Sequence, residues 1–184
     1  MNGLSSVAKV ILGALHLGPR TGYGIKRMVD RSTRFFWAAS YGQIYPELRR
    51  LEEAGLVESA SEPRGGRPRR VHRLTPAGRA ALRDWLRSDA STHEVRDEGL
   101  LKLFFASALP PSGAVELVRA KERGHRRTLE RLRVIEAGVP RRDGRVDFPR
   151  LCLEYGIGLN EWAAEWCARA AERIEANERK EARK

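Results

Sequence analysis

Apolar residues in the first half of this chain recur at helical spacing three times, give way to two short β-type runs, and then return to helical spacing. Val7, Val10, Ile11, Ala14 and Leu15 fall at i, i+3, i+4, i+7 and i+8, a stripe suited to burying one helix face. Ser5 and Ser6 can cap its start, and Gly18-Pro19 stops it. Thr21 caps a second, shorter helix with Ile25, Met28 and Val29 inward and Lys26, Arg27 and Arg31 outward. Ile44, Leu48 and Leu51 form a third stripe. It follows a Ser40-to-Gln43 capping-box spacing, and Gly55 suits the left-handed residue that ends a helix. Pro46 lies past the first turn of this helix and removes a backbone hydrogen bond to Gly42. Either the helix is kinked there, or its regular part begins at Pro46. A kinked start is preferred, because Gly42 has no side chain to crowd the ring.

Leu56–Ser59 and Val71–Leu74 read as the two strands of a hairpin. Thr75-Pro76 then opens a fourth helix, with a capping Thr and a Pro where its missing N–H costs little. That helix is expected to run to about Leu86 with Leu82, Trp85 and Leu86 buried. Residues 88–95 are polar and read as a linker, dividing the chain into domains at 1–88 and 96–184.

The second half reads as all helix. Leu100–Ala106 is apolar nearly all round, the pattern of a buried helix, and Pro110-Pro111 breaks it. A long charged helix follows from about Ser112 to Ala137, with Val115, Val118, Glu122, His125, Leu129 and Leu132 as its seam. The last helix carries Tyr155, Leu159, Trp162, Trp166, Ala170 and Ile174 as a narrow stripe among Glu and Arg. That stripe needs an apolar partner, from its own domain or from a second subunit. Leu159, Trp162, Trp166, Ala170 and Ile174 are the best candidate dimer seam.

Charge sharpens the division. The 184 residues carry 35 Lys plus Arg against 24 Asp plus Glu, a net charge of +11. Residues 1–88 hold 16 basic and 7 acidic side chains, a net of +9, which leaves +2 for residues 89–184. A basic module beside a near-neutral one fits nucleic-acid binding joined to another task. The turn between the two strands, Pro63–Arg70, has four arginines in eight residues. Three short helices followed by an arginine-tipped hairpin have the layout of a winged helix-turn-helix. The expected fold is thus mainly α: three helices and a two-stranded wing, then a helical dimerisation domain.

On this layout the outer face of the third helix meets DNA. Tyr41, Gln43, Tyr45 and Arg49, with Ser40 and Pro46 on the same turns, are candidate contacts to bases and phosphates. Tyr23 and Lys26 on the second helix are candidate phosphate contacts. Arg67, Arg69 and Arg70 suit the minor groove or phosphates. The bland alternative makes the tyrosines rim supports and the arginines solvated surface charge.

Residues 4–88 resemble the PadR family of transcriptional regulators. The resemblance rests on Gly22-Tyr23-Gly24-Ile25 and on the run Gly42-Gln43-Ile44-Tyr45-Pro46-Glu47-Leu48-Arg49-Arg50-Leu51-Glu52. Gly55-Leu56-Val57, Gly65-Gly66-Arg67-Pro68-Arg69-Arg70 and Leu74-Thr75-Pro76-Ala77-Gly78 extend it. The second half is similar to the longer subgroup with a separate C-terminal helical domain. One departure is His72, where the family usually has Tyr; a packing role is expected to persist there. The resemblance implies a dimeric repressor of double-stranded, palindromic operator DNA whose affinity falls when a small, often aromatic effector binds. Trp37, Trp85, Tyr155 and Trp162 could line an effector pocket, although such residues more often form core or interface.

Other chemistries find little support. His16, His72, His93 and His125 show no metal-ligand spacing with one another or with Cys152 and Cys167. No phosphate loop, nucleophile elbow or paired-carboxylate site is visible, so neither an enzyme nor a cofactor is expected. With two cysteines, no signal peptide and no membrane-length apolar run, a cytoplasmic protein without membrane contact is expected. The competing class is a protein-interaction adaptor built on a winged helix. An adaptor has no need for a cationic hairpin tip.

Overall fold

The computed structural model describes residues 3–18, 20–37, 41–62, 69–89, 96–140 and 146–181, with the side chain of Tyr41 left out. Ser40, Arg67 and the rest of the turn between the strands lie outside the described residues. The chain divides into two compact units, Met1–Thr92 and His93–Lys184.

The first unit runs α1 (Ser6–His16), α2 (Gly22–Arg31), a 3-10 turn (Thr33–Phe35), α3 (Tyr41–Glu53), β1 (Val57–Glu62), β2 (Arg69–Leu74) and α4 (Pro76–Arg87). Three helices start on a hydroxyl cap: Ser5, Thr21 and Thr75 each accept a hydrogen bond from the backbone N–H three residues on, at 3.0 Å. α3 is one helix from Tyr41 with Pro46 in its interior. It ends as Gly55 swings to φ +67°. The Leu56 N–H then reaches the Leu51 carbonyl and the Gly55 N–H reaches that of Glu52, both at 2.9 Å, closing a Schellman motif.

Ile11, Leu12, Leu15, Ile25, Val29, Ile44, Leu48 and Leu82 form the core of this unit. In α1 the covered face is Ala8, Ile11, Leu12, Ala14 and Leu15, while Val7 and Val10 are only partly buried. The helix packs against α2, α3, α4 and β2, so its covered face is wider than one stripe and turned toward Leu12. In α4 the covered positions are Gly78, Leu82 and Trp85, and Leu86, one residue further round, is 64% exposed. The strands pair antiparallel from Val57 opposite Leu74 to Glu62 opposite Arg69. The first strand starts at Val57 rather than Leu56, and both outrun the expected four residues because the outer pairs Ser61–Arg70 and Glu62–Arg69 are polar and carry no apolar alternation.

The second unit holds α5 (Glu98–Phe104), a 3-10 turn (Ala106–Ala108), α6 (Pro111–Gly138) and α7 (Phe148–Glu181). Asp97 caps α5 through the Leu100 N–H and also pairs with Lys121 of α6 at 2.5 Å. That double hold keeps the Asp97 carboxyl below its ordinary value, the Lys121 hydrogen bond being the main cause. α5 is not the buried helix its sequence suggests: Leu100, Leu101, Phe104 and Phe105 are all exposed, and Leu103 is the residue that meets the core. A helix this short, laid on one neighbour, covers only one side. The expected α6 seam faces α7, with Val118, Glu122 and Leu132 buried. Glu122 is satisfied by Arg126 at 2.8 Å and Arg119 at 3.1 Å, and these pairings, Arg126 foremost, hold its carboxyl low.

The α7 stripe splits. Trp166, Ala170 and Ile174 pack against the core of their own unit, around Val118, Cys167 and Ala171. Tyr155, Leu159 and Trp162 stand exposed, in line with Phe148 and Leu151. Small residues explain the split: Ala164, Cys167 and Ala171 line the covered face of α7, and bulky side chains go to its rim.

Candidate nucleic-acid interface

An open groove of about 590 Å³ runs between α2, α3 and β2 of the first unit. α2 supplies Tyr23 in its first turn and Arg27 one turn on, the guanidinium 5.9 Å from the Tyr23 ring centre. Lys26 lies on the same helix and is ion-paired to Asp30. α3 supplies Tyr45 and Arg49, both exposed, with Gln43 and Pro46 exposed on its first turns. Tyr45 lies over the start of α2: a Cβ added to Gly22 would come within 2.6 Å of its ring. Glycine there leaves room for the Tyr45 ring in this position.

β2 closes the groove with Arg69, Arg70 and His72. Arg69 reaches the Thr21 hydroxyl at 3.4 Å. Arg70 donates to Glu52 at 2.6 Å and to Ser59 at 2.8 Å. The other Glu52 oxygen lies 2.9 Å from His72 Nδ1. His72 is 5% exposed, and its backbone exchanges hydrogen bonds of 3.1 and 2.8 Å with Arg20. Burial pushes the imidazole below its ordinary value; Glu52 opposes that shift and Arg70 adds to it. The packing role expected for position 72 is met by a histidine whose ring nitrogen has a carboxylate partner.

The structure therefore gathers Tyr23, Tyr45, Arg49, Arg69 and Arg70 around one groove. Arg27 and Glu52 belong to the same groove and were not singled out from sequence. Arg27 sits four residues after Tyr23 on the same helix face, a spacing that could have found it. The four aromatic candidates for an effector pocket separate. Trp85 packs against the core of the first unit, with the Lys9 ammonium 5.7 Å from its ring centre. Trp37 is 39% exposed in that unit, and Tyr155 and Trp162 are exposed in the second. Cys167 is buried, and burial pushes its thiol up, while Cys152 is exposed. Among the described residues no His, Cys, Asp and Glu cluster could hold a metal ion, and no helix is long and apolar enough to cross a membrane.

Residues 11–84 match the Transcriptional regulator PadR-like family and residues 95–175 match Virulence activator alpha C-term. The Negative transcriptional regulator PadR of Bacillus subtilis is 34% identical over 111 residues, 59% of this chain. That match spans 61% of the relative, less than two thirds of its length. The crystal structure of Bacillus subtilis PadR in complex with operator DNA superposes with a TM-score of 0.83 at 27% identity, covering 92% of this chain and 99% of that one. The same protein in complex with p-coumaric acid gives 0.78 at 25% identity, covering 95% and 98%.

Proposed function

We propose that this chain, whose residues 11–84 form a PadR-like family domain, is a homodimeric repressor of a palindromic double-stranded DNA operator. Residues 1–88 form the DNA-binding domain and residues 96–184 the dimerisation and effector domain. The observation that carries this reading is the groove: exposed Tyr23, Tyr45 and Arg49 from two helices converge with Arg69 from the wing strand. Tyrosine and arginine at the start of a helix pair suit phosphates and base edges, and Gln43 on the outer turn suits adenine. Lys26, Tyr41, Pro46 and, beyond the described residues, Ser40 and Arg67 complete the proposed contact set.

The exposed line Phe148, Leu151, Tyr155, Leu159 and Trp162 supports dimerisation, because a two-fold pair of long helices would remove it from water. A dimer sets two recognition helices about one DNA turn apart, which matches a palindrome. The relative described as a negative regulator, solved with operator DNA and with p-coumaric acid, supports repression relieved by a small aromatic acid. Footprinting on the DNA upstream of its own gene, with and without aromatic acids, tests the reading. A protected palindrome released by one of them is expected. Binding that is insensitive to salt and sequence would contradict it.

A further inference from the structure

Among the described residues, Glu52 is the one carboxylate lining a groove that also holds Arg27, Arg49, Arg69 and Arg70. Both of its oxygens are engaged, one by the buried His72 ring and the other by Arg70. The two ends of the Arg70 pair differ in exposure: the guanidinium side chain is 63% exposed, the carboxylate side chain 18%. An incoming anion can therefore reach Arg70 from outside, while Glu52 is held from behind by a ring whose backbone is fixed to Arg20. β2 is already secured by its ladder to β1, by the Arg20 bridge and by buried Val71 and Leu74, and a pair whose guanidinium end stands in water adds little to folding.

We propose that Glu52 is an internal counter-ion that occupies Arg70 in the DNA-free chain, competes with DNA phosphate for it, and so sets the affinity of the interface. A carboxylate and a phosphate oxygen offer a guanidinium the same charge-assisted geometry. A phosphate can take Arg70 only by displacing Glu52, so in the wild-type chain Arg70 stays with Glu52 and its phosphate contact is withheld from binding. Arg70 is then a reserve contact, unlike Arg69, whose partner among the described residues is a neutral hydroxyl. This inference rests on the DNA-binding reading.

The test is anisotropy titration of the full chain with a random-sequence duplex of about 30 base pairs across a salt series. Glu52→Gln keeps an acceptor for the His72 ring and removes the charge. It should bind about three- to tenfold tighter at fixed salt. The slope of log affinity against log salt should steepen by about 0.9 per bound chain, the signature of one added phosphate contact. Glu53→Gln makes the same charge change one residue on and should leave the slope within about 0.3 of wild type. Arg70→Ala should do likewise in the wild-type background, and should abolish the gain when combined with Glu52→Gln. The proposal is overturned if Glu52→Gln fails to steepen the slope, or if Arg70→Ala alone flattens it by about 0.9. It is equally overturned if Glu52→Gln melts well below wild type, which would make Glu52 a strut. Absence of salt-dependent binding by wild type and variants alike overturns the DNA-binding reading as well.

Discussion

In the first unit the residues fully withdrawn from water are large aliphatics such as Ile11, Leu12, Ile25, Val29 and Ile44. In the second, the central cluster is Val118, Cys167 and Ala171, while Phe104, Phe148, Tyr155 and Trp162 are 58–80% exposed. The first unit packs most of its large aliphatics into its own core and exposes arginines and tyrosines around a groove, with Leu17, Phe36, Trp37 and Leu86 the large apolar residues it leaves in water. The other has kept its largest apolar side chains on the surface, a pattern that marks an association face. The difference fits the proposed division of labour, in which the first unit reads DNA and the second completes its packing against a second copy.

The largest expected effect comes from removing that face. A chain ending before Phe148 loses α7 and with it the core of the second unit, yet leaves the first unit's core untouched. It should sediment as a monomer at micromolar concentration and bind operator about a hundredfold more weakly or worse, since the two half-sites are no longer linked. A stable dimer with undiminished affinity would place the interface on the first unit. Next in size, Ile44→Ala should destabilise the first unit by about 2–5 kcal/mol, the cost of a cavity in a filled core. Chemical unfolding followed by a probe in that unit measures it, and a loss below about 1 kcal/mol would deny the unit its tight core.

Trp162→Glu sharpens the comparison from the other side. If the exposed stripe is an interface, a carboxylate at its C-terminal end should weaken dimerisation by about 2 kcal/mol or more while leaving monomer stability unchanged. An unaltered dimer would remove Trp162 from the seam. Gln43→Ala should cost about 1–3 kcal/mol of discrimination between operator and a mismatched site. Equal losses on both would make Gln43 a phosphate contact. The smallest effect is a pH dependence confined to the first unit. His72 is held below its ordinary value of 6.5, so the unfolded chain binds the proton more readily. Stability supplied by the neutral ring is present above about pH 6.5 and is lost as pH falls through the folded value. Melting temperatures from pH 7 downward should fall more steeply for wild type than for His72→Gln.

The sequence made the first unit legible because its signals are local. A hydroxyl three residues before a helix N–H, a glycine at a helix end and a stripe on α3 need no knowledge of the rest of the chain. Long-range features were hidden. Glu52 becomes part of the groove only because β2 returns Arg70 and His72 to it, across eighteen and twenty residues. In α7 the aromatic stripe was visible, but its division was not. Hydrophobicity ranks Trp162 and Tyr155 above Ala164 and Ala171, whereas close helix packing selects the small residues and leaves the large ones outside. For Leu100–Phe105 the same weighting of hydrophobicity over geometry made an exposed helix look like a buried one.

The division of labour is tested most directly by the salt dependence of DNA binding for each half alone. Residues 1–92 and 93–184 would be titrated separately with the same random-sequence duplex, beside the full chain. The first fragment should keep the full chain's slope of log affinity against log salt per bound chain, because every proposed phosphate contact lies within it. The second should show no salt-dependent binding. A slope carried by residues 93–184, or none in residues 1–92, would contradict the account.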